Sequence, residues 1–122
     1  MGIGITINGP DRVLLDYFAV HPDFRGKGIG SAALAAIRRQ YDGRGLFLEI
    51  ESTNVDSPER DLRLRRKQFY LRAGLQEFHV EVRLFGVEME LLGIGEPLTF
   101  REYHSFYADN YSQWAADHIQ PV

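Results

Sequence analysis

The chain contains no cysteine, which excludes disulfides, a thiolate zinc centre and any reaction through a cysteinyl intermediate. It has no apolar run near the roughly 20 residues that a membrane-spanning helix needs. The opening MGIGITINGPDR lacks the basic start and unbroken apolar stretch of a signal peptide, because Asn8-Gly9-Pro10-Asp11 interrupts it. The default compartment is therefore the cytoplasm, and no membrane partner is expected. Positive charge is not in excess: 14 Lys and Arg stand against 17 Asp and Glu, a formal net charge of −3, which argues against a nucleic-acid partner. No repeat, low-complexity tract or shift of composition marks a second domain. The 122 residues, 44% hydrophobic and 25% charged, suit one globular domain over 1–122. His104 and His118 have no partners at ligand spacing, so no metal is expected.

Ile3, Ile5 and Ile7 alternate with glycine and polar residues, the period of a strand with one buried face. The Asn8–Asp11 turn leads into a second strand over Val13–Val20, giving a hairpin. Gly30–Tyr41 reads as a helix with Leu34, Ile37 and Tyr41 on one face, and Leu46–Glu51 as a strand. Ser57 as N-cap, Pro58, Glu59 and Asp61 predict a helix start, and Gly74 its end. Phe78–Leu84 and Val87–Leu91 alternate around Gly86 as a second hairpin. The loop Gly93–Pro97 precedes a last helix opened by a Thr99/Glu102 capping box, with Tyr103, Tyr107, Tyr111 and Trp114 as one stripe along it. Such a stripe packs on a sheet or makes an interface. The order predicts an α/β fold: a single mixed, mostly antiparallel sheet flanked by helices.

The stretch His21–Leu34 places Gly26, Gly28 and Gly30 with Arg25 and Lys27 at the mouth of a helix. A helix N-terminus presents unpaired N–H groups and about half a positive charge. Glycines let a bulky anion reach those groups, and Arg25 can bind two phosphate oxygens at once. A tight turn alone would also use glycine, but not alternate glycines with two basic neighbours. A P-loop is excluded because Gly26-Lys27 is followed by Gly28. A dinucleotide fingerprint is excluded by context, since a hairpin and His21–Arg25 precede the first glycine.

Arg25-Gly26-Lys27-Gly28-Ile29-Gly30 resembles the acyl-CoA pyrophosphate signature of the GNAT superfamily of N-acyltransferases. Leu15–Pro22 is similar to that family's central strand and exit turn, Leu48–Glu51 to its next strand, and Phe69–Leu75 to its FYxxxGF segment. The resemblance spans roughly 3–92. It implies that backbone groups of Phe18, Ala19 and Val20 bond the pantetheine amides. It also implies that the N–H groups from Gly26 through Lys27, Gly28, Ile29 and Gly30 to Ser31, with Arg25, hold the pyrophosphate. The co-substrate implied is acetyl-CoA, with direct attack by a neutral amine, peptide or small molecule, and a backbone N–H of the central strand as oxyanion donor. Tyr70 matches the family's general acid for the leaving thiolate. Asp16, Glu49 and Glu51 are candidate bases on the flanking strands, and Glu51 is preferred; water is the alternative.

The chain departs from the family in two places. The segment between the strand and Tyr70 is about nine residues longer than usual, so Asn54 holds the family's asparagine position only when counted from the strand. Arg60, Arg63, Arg65, Arg66 and Lys67 crowd the lengthened helix and read as a solvated face, with an adenosine-side phosphate contact as the minor option. Set against the family's pattern, the chain is expected to lack the usual first strand and two helices and to carry an extra C-terminal helix. The expectation is a small N-acetyltransferase. The alternative is an acyl-CoA-binding module or subunit without its own catalysis. Homodimerisation is expected through the exposed sheet edge near Ile3–Ile7 or through the aromatic helix.

Overall fold

Alternating side chains draw β1 (Gly2–Asn8) and β2 (Arg12–Val20) into an antiparallel hairpin. The structure, a computed structural model, describes residues 2–9, 11–20, 29–40 and 44–122. The chain continues through α1 (Ile29–Gln40), β3 (Gly45–Glu51), α2 (Arg60–Arg72), β4 (Gln76–Leu84) and β5 (Val87–Ile94). It closes with α3 (Phe100–Asn110), α4 (Gln113–Ala116) and the short strand β6 (Ile119–Pro121). One six-stranded sheet has the order β1-β2-β3-β5-β4-β6. Among the described residues only β2 and β3 pair in parallel; every other pairing is antiparallel. The expected mixed α/β sheet flanked by helices is thus the fold observed.

Helices cover both faces. On one, Leu34 and Ile37 of α1 and Phe69 and Tyr70 of α2 pack with Val13, Leu15, Leu46, Leu48, Ile50, Leu75 and Leu92. On the other, Tyr103, Phe106 and Tyr107 of α3 pack with Leu14, Phe47, Phe78, Val82 and Leu91. Successive strand residues alternate between these cores, which is the period-two pattern read from the sequence. The β4–β5 hairpin turns at Phe85 (φ 50°) and Gly86 (φ 80°). Positive φ at both central residues is the type I′ geometry that matches strand twist. Gly93 lies so close to β3 and Phe78 that a Cβ there would come within 2.5 Å of the Phe78 ring.

Four local expectations are corrected. The second helix begins at Arg60, behind Glu59, rather than at Pro58 behind a Ser57 cap: Ser57 accepts the Arg60 N–H through its carbonyl and the Glu59 N–H through its hydroxyl, making a turn ahead of the helix. β5 runs on through Gly93 to Ile94, where the sequence predicts the loop Gly93–Pro97. The aromatic stripe does not lie on one helix. α3 ends at Asn110, Ser112 caps a new turn through its bond from Ala115 N–H, and Trp114 belongs to α4. Finally, β6 was not foreseen, because three residues including a proline carry almost no periodicity. The Thr99/Glu102 capping box is present with both of its reciprocal bonds.

Candidate active site

The site begins with a parting of strands. β2 and β3 pair over Arg12–Leu14 against Gly45–Phe47, although β2 continues to Val20 and β3 to Glu51. Beyond that point β2 is held on its far edge by β1, and β3 on its far edge by β5. Their facing edges therefore diverge into a fork whose backbone groups are not used by the opposing strand. Buried backbone polar groups need partners, so such an opening suits an extended chain with amides of its own. The β1–β2 register passes from Ile5↔Tyr17 to Thr6↔Leu15, leaving Asp16 as an extra residue on β2. A bulge at this depth bends β2 and marks the apex of the fork.

Phe18, Ala19 and Val20 lie on the open reach of β2, paired on the other side with Gly4, Ile3 and Gly2. α1 starts at Ile29, with Gly30 and Ser31 in its first turn and no acidic residue there. That turn leaves N–H groups unpaired within the helix, as an anion seat requires. Arg25, Gly26, Lys27 and Gly28 lie outside the described residues.

Tyr70 and Glu49 stand on opposite faces of the sheet. Tyr70 packs with the α1/α2 core, its ring edge-on to Phe69 at 5.2 Å. Burial pushes its hydroxyl pKa above 10.0, and the Arg66 guanidinium one turn away pulls the other way. Glu49 faces α3, where the Tyr107 hydroxyl donates to its two oxygens at 2.9 and 2.8 Å and the Tyr103 hydroxyl donates to Oε2. Burial raises the Glu49 pKa; the two tyrosine hydrogen bonds lower it, and the charge of Asp16 adds to the rise. Asp16 is itself raised by burial. Both tyrosines are pushed far above the ordinary phenol range, first by burial and then by the Glu49 charge, so each stays a hydrogen-bond donor.

Glu51 has a different environment. Its carboxylate forms an ion pair with Arg63 at 2.7 Å. Arg63 and Lys67, expected on a solvated face, instead turn toward the sheet and are only 16% and 14% exposed. Arg60 donates to the Thr53 carbonyl at 3.0 Å. Arg65 and Arg66 are exposed as expected. Asn54 hydrogen-bonds Glu81 across to β4.

Lys67 bridges Glu90, at 2.8 Å, and Glu77. Glu90 also accepts from Thr53 N–H at 2.6 Å and from its hydroxyl at 2.7 Å. Burial opposes the Glu90 charge, but the bonds from Lys67 and Thr53 outweigh it and hold its pKa below the ordinary value. Lys67 is likewise disfavoured by burial, yet its two carboxylates raise it overall. A carboxyl lowered on folding contributes stability above its unfolded pKa, and that stability is lost as pH falls through the folded value. Glu90→Gln should therefore cost about 2 kcal/mol at pH 7, less than a fully orphaned buried charge because Glu77 still faces Lys67. The gap from the parent should narrow as the medium is acidified through the carboxylate range, and urea melts at several pH values measure it.

Two parts of this arrangement differ from what the sequence alone predicts. Tyr103 and Tyr107 read there as part of an aromatic stripe that packs on a sheet or makes an interface, and no partner for Lys67 or Glu90 is legible. A signal for the first was present: buried tyrosine hydroxyls need partners, and two of them one helical turn apart implied a shared acceptor on the sheet.

The comparisons with known proteins bear on this geometry. Residues 2–74 match the family model described as Acetyltransferase (GNAT) family. A putative GNAT-family acetyltransferase from Bacteroides thetaiotaomicron shares the fold with a TM-score of 0.71 and 20% identity, over 88% of this chain and 64% of that one. An N-acetyltransferase from Staphylococcus aureus Mu50 gives 0.56 and 15%, over 71% of this chain and 42% of that one. The ribosomal-protein-S18-alanine N-acetyltransferase from Escherichia coli gives 0.56 and 21%, over 81% and 66%. The chain thus spans 42–66% of the length of these proteins. No curated protein matches it. A family model that covers more than half of the residues, 2–74, places this chain in the acetyltransferase (GNAT) family.

Proposed function

We propose that the chain transfers an acetyl group from acetyl-CoA to an amine by direct attack. The observation that carries this reading is the β2–β3 fork, in a chain whose residues 2–74 match the acetyltransferase (GNAT) family. The pyrophosphate sits on the amides from Gly26 to Ser31 with Arg25 as counter-charge. The pantetheine arm runs along the free edge of Phe18, Ala19 and Val20. Because the arm enters at the Val20 end, its thioester reaches the apex, beside the bulge at Asp16. A backbone N–H of β2 beside that bulge receives the oxyanion. Tyr70, on the α1/α2 side, protonates the departing thiolate.

The absence of cysteine gives a clean assay, since the only thiol that can appear is free CoA. The chain is incubated with acetyl-CoA and a panel of amines: an alanyl peptide, Nα-acetyl-lysine, spermidine and an aminoglycoside. A thiol reagent should record sustained CoA release with at least one of them. Acetyl-CoA at about 100 times its Kd should also stabilise the fold by about 2.7 kcal/mol. A chain that neither melts higher nor releases CoA would overturn the reading. A raised melting temperature without release would favour the second reading, acyl-CoA binding without transfer.

A further inference from the structure

We propose that Tyr103 and Tyr107 of α3 are positioning residues that hold the Glu49 carboxylate at the apex of the fork, where it takes the proton of the attacking amine. This rests on the acetyltransferase reading above. Glu49 lies two residues beyond Phe47, the last β3 residue paired with β2. It therefore shares the α3 face with Phe47, at the first level where the strands have parted. Asp16 stands two residues beyond Leu14 on the other prong, at the same depth. The nucleophile thus meets carboxylates on the α3 side, while Tyr70 waits on the opposite face.

Packing alone does not account for this arrangement. Phenylalanine at 103 and 107 with an apolar residue at 49 would fill the same space without burying a charge. Instead two hydroxyls, one helical turn apart, converge on one carboxylate. Their rings are fixed: Tyr103 is fully buried, 6.2 Å from Phe47 and 5.2 Å from Tyr107 in edge contacts. Two hydroxyl protons fill about two of the roughly four acceptor positions of a carboxylate, so capacity remains for an amine N–H. Glu51, by contrast, is committed to Arg63. The geometry moves the base from Glu51 to Glu49. Among the described residues, the titratable groups facing Glu49 are Tyr103 and Tyr107 from α3 and Asp16 from β2; its neighbour on β5 is the apolar Leu91.

In the step, the nitrogen attacks the thioester carbon, the C–N bond forms, and one N–H proton passes to Glu49. The C–S bond breaks with its electron pair on sulfur, which takes the Tyr70 proton. Solvent removes the proton from Glu49 and restores that of Tyr70.

The test uses the whole chain with acetyl-CoA and the best amine of the panel, recording kcat/KM against pH. Glu49→Gln should lose about 10²-fold in kcat. The double variant Tyr103→Phe, Tyr107→Phe should lose about tenfold at pH 7. Its acid limb should move to higher pH, because two donors that favoured the ionised carboxyl are gone. Tyr111→Phe, altering an exposed ring stacked on Tyr107, should match the parent. Full activity in Glu49→Gln, or a loss in the double variant with its acid limb unmoved, would overturn the proposal. If the double variant does not fold, Tyr107→Phe and carbon-13 titration of the Glu49 carboxyl serve instead. The titration should move upward, and an unmoved one overturns the clamp. A parent that releases no CoA sinks the acetyltransferase reading and this assignment with it. A parent that turns over beside a fully active Glu49→Gln sinks this assignment alone.

Discussion

Tyr70→Phe should lower kcat by about 10²-fold and leave any stabilisation by acetyl-CoA unchanged, the range expected for one positioned proton donor. The substitution removes a single oxygen from a residue whose ring already packs with Phe69 and the α1/α2 core, so the fold has little to lose. Among the described residues the Tyr70 hydroxyl makes no hydrogen bond. No stabilising contact disappears with it, and the effect should fall on turnover. Burial keeps the hydroxyl protonated beyond pH 10.0, so the donor form is complete across the neutral range. The Arg66 charge lowers the cost of the tyrosinate that forms as the proton leaves. The basic limb of kcat should accordingly lie above the ordinary tyrosine range in the parent and vanish in Tyr70→Phe. Arg66→Gln should lower kcat less than Tyr70→Phe does and move that limb further up. A Tyr70→Phe chain with parental kcat would remove Tyr70 from the chemistry.

The fold was legible in the sequence because its signals are local. Strand alternation in β1 to β5, the turn at Phe85-Gly86 and the Thr99/Glu102 capping box each involve residues within a few positions of one another. What escaped depends on contacts remote in sequence. Tyr103 and Tyr107 find Glu49 across more than 50 residues, at separations of 54 and 58. A helical stripe of aromatic residues looks the same whether its hydroxyls face water or a carboxylate. The basic run of α2 misled for a similar reason. Its charge suggested solvent, but Arg63 and Lys67 sit one turn apart and meet Glu51, Glu77 and Glu90 on the sheet. Ion pairs, rather than buried apolar residues, hold this part of the helix, which has no fully buried residue. The parting of β2 from β3 has no local signal in the sequence. Nothing in Leu15–Val20 alone states that its second edge goes unpaired by β3.

Phe47→Ala should cost about 3–5 kcal/mol, the range for removing a fully buried aromatic ring and leaving a cavity. Phe47 is wholly buried and makes edge contacts with Phe106 at 5.0 Å and Tyr103 at 6.2 Å. It is also the last β3 residue paired with β2, opposite Leu14, and pairs with Gly93 on its other side. One ring therefore fastens α3 to the sheet at the level where the fork opens. Urea melts should show a lower midpoint with an unchanged slope, since the same surface is exposed on unfolding. A domain stable by about 5–15 kcal/mol survives this loss only narrowly, so kinetics are better read on Phe47→Leu. That variant keeps a large apolar group but loses the flat edge on which Tyr103 rests. The clamp on Glu49 should loosen, lowering kcat, while the affinity for acetyl-CoA, whose proposed contacts lie on β2 and the α1 N-terminus, should hold. Leu62→Ala, which truncates an exposed side chain on α2, should change stability by no more than about 0.5 kcal/mol. If Phe47→Leu weakened acetyl-CoA binding as much as it slowed turnover, the apex and the cofactor seat would form one mechanical unit, and the division of labour between the two faces of the sheet would fail.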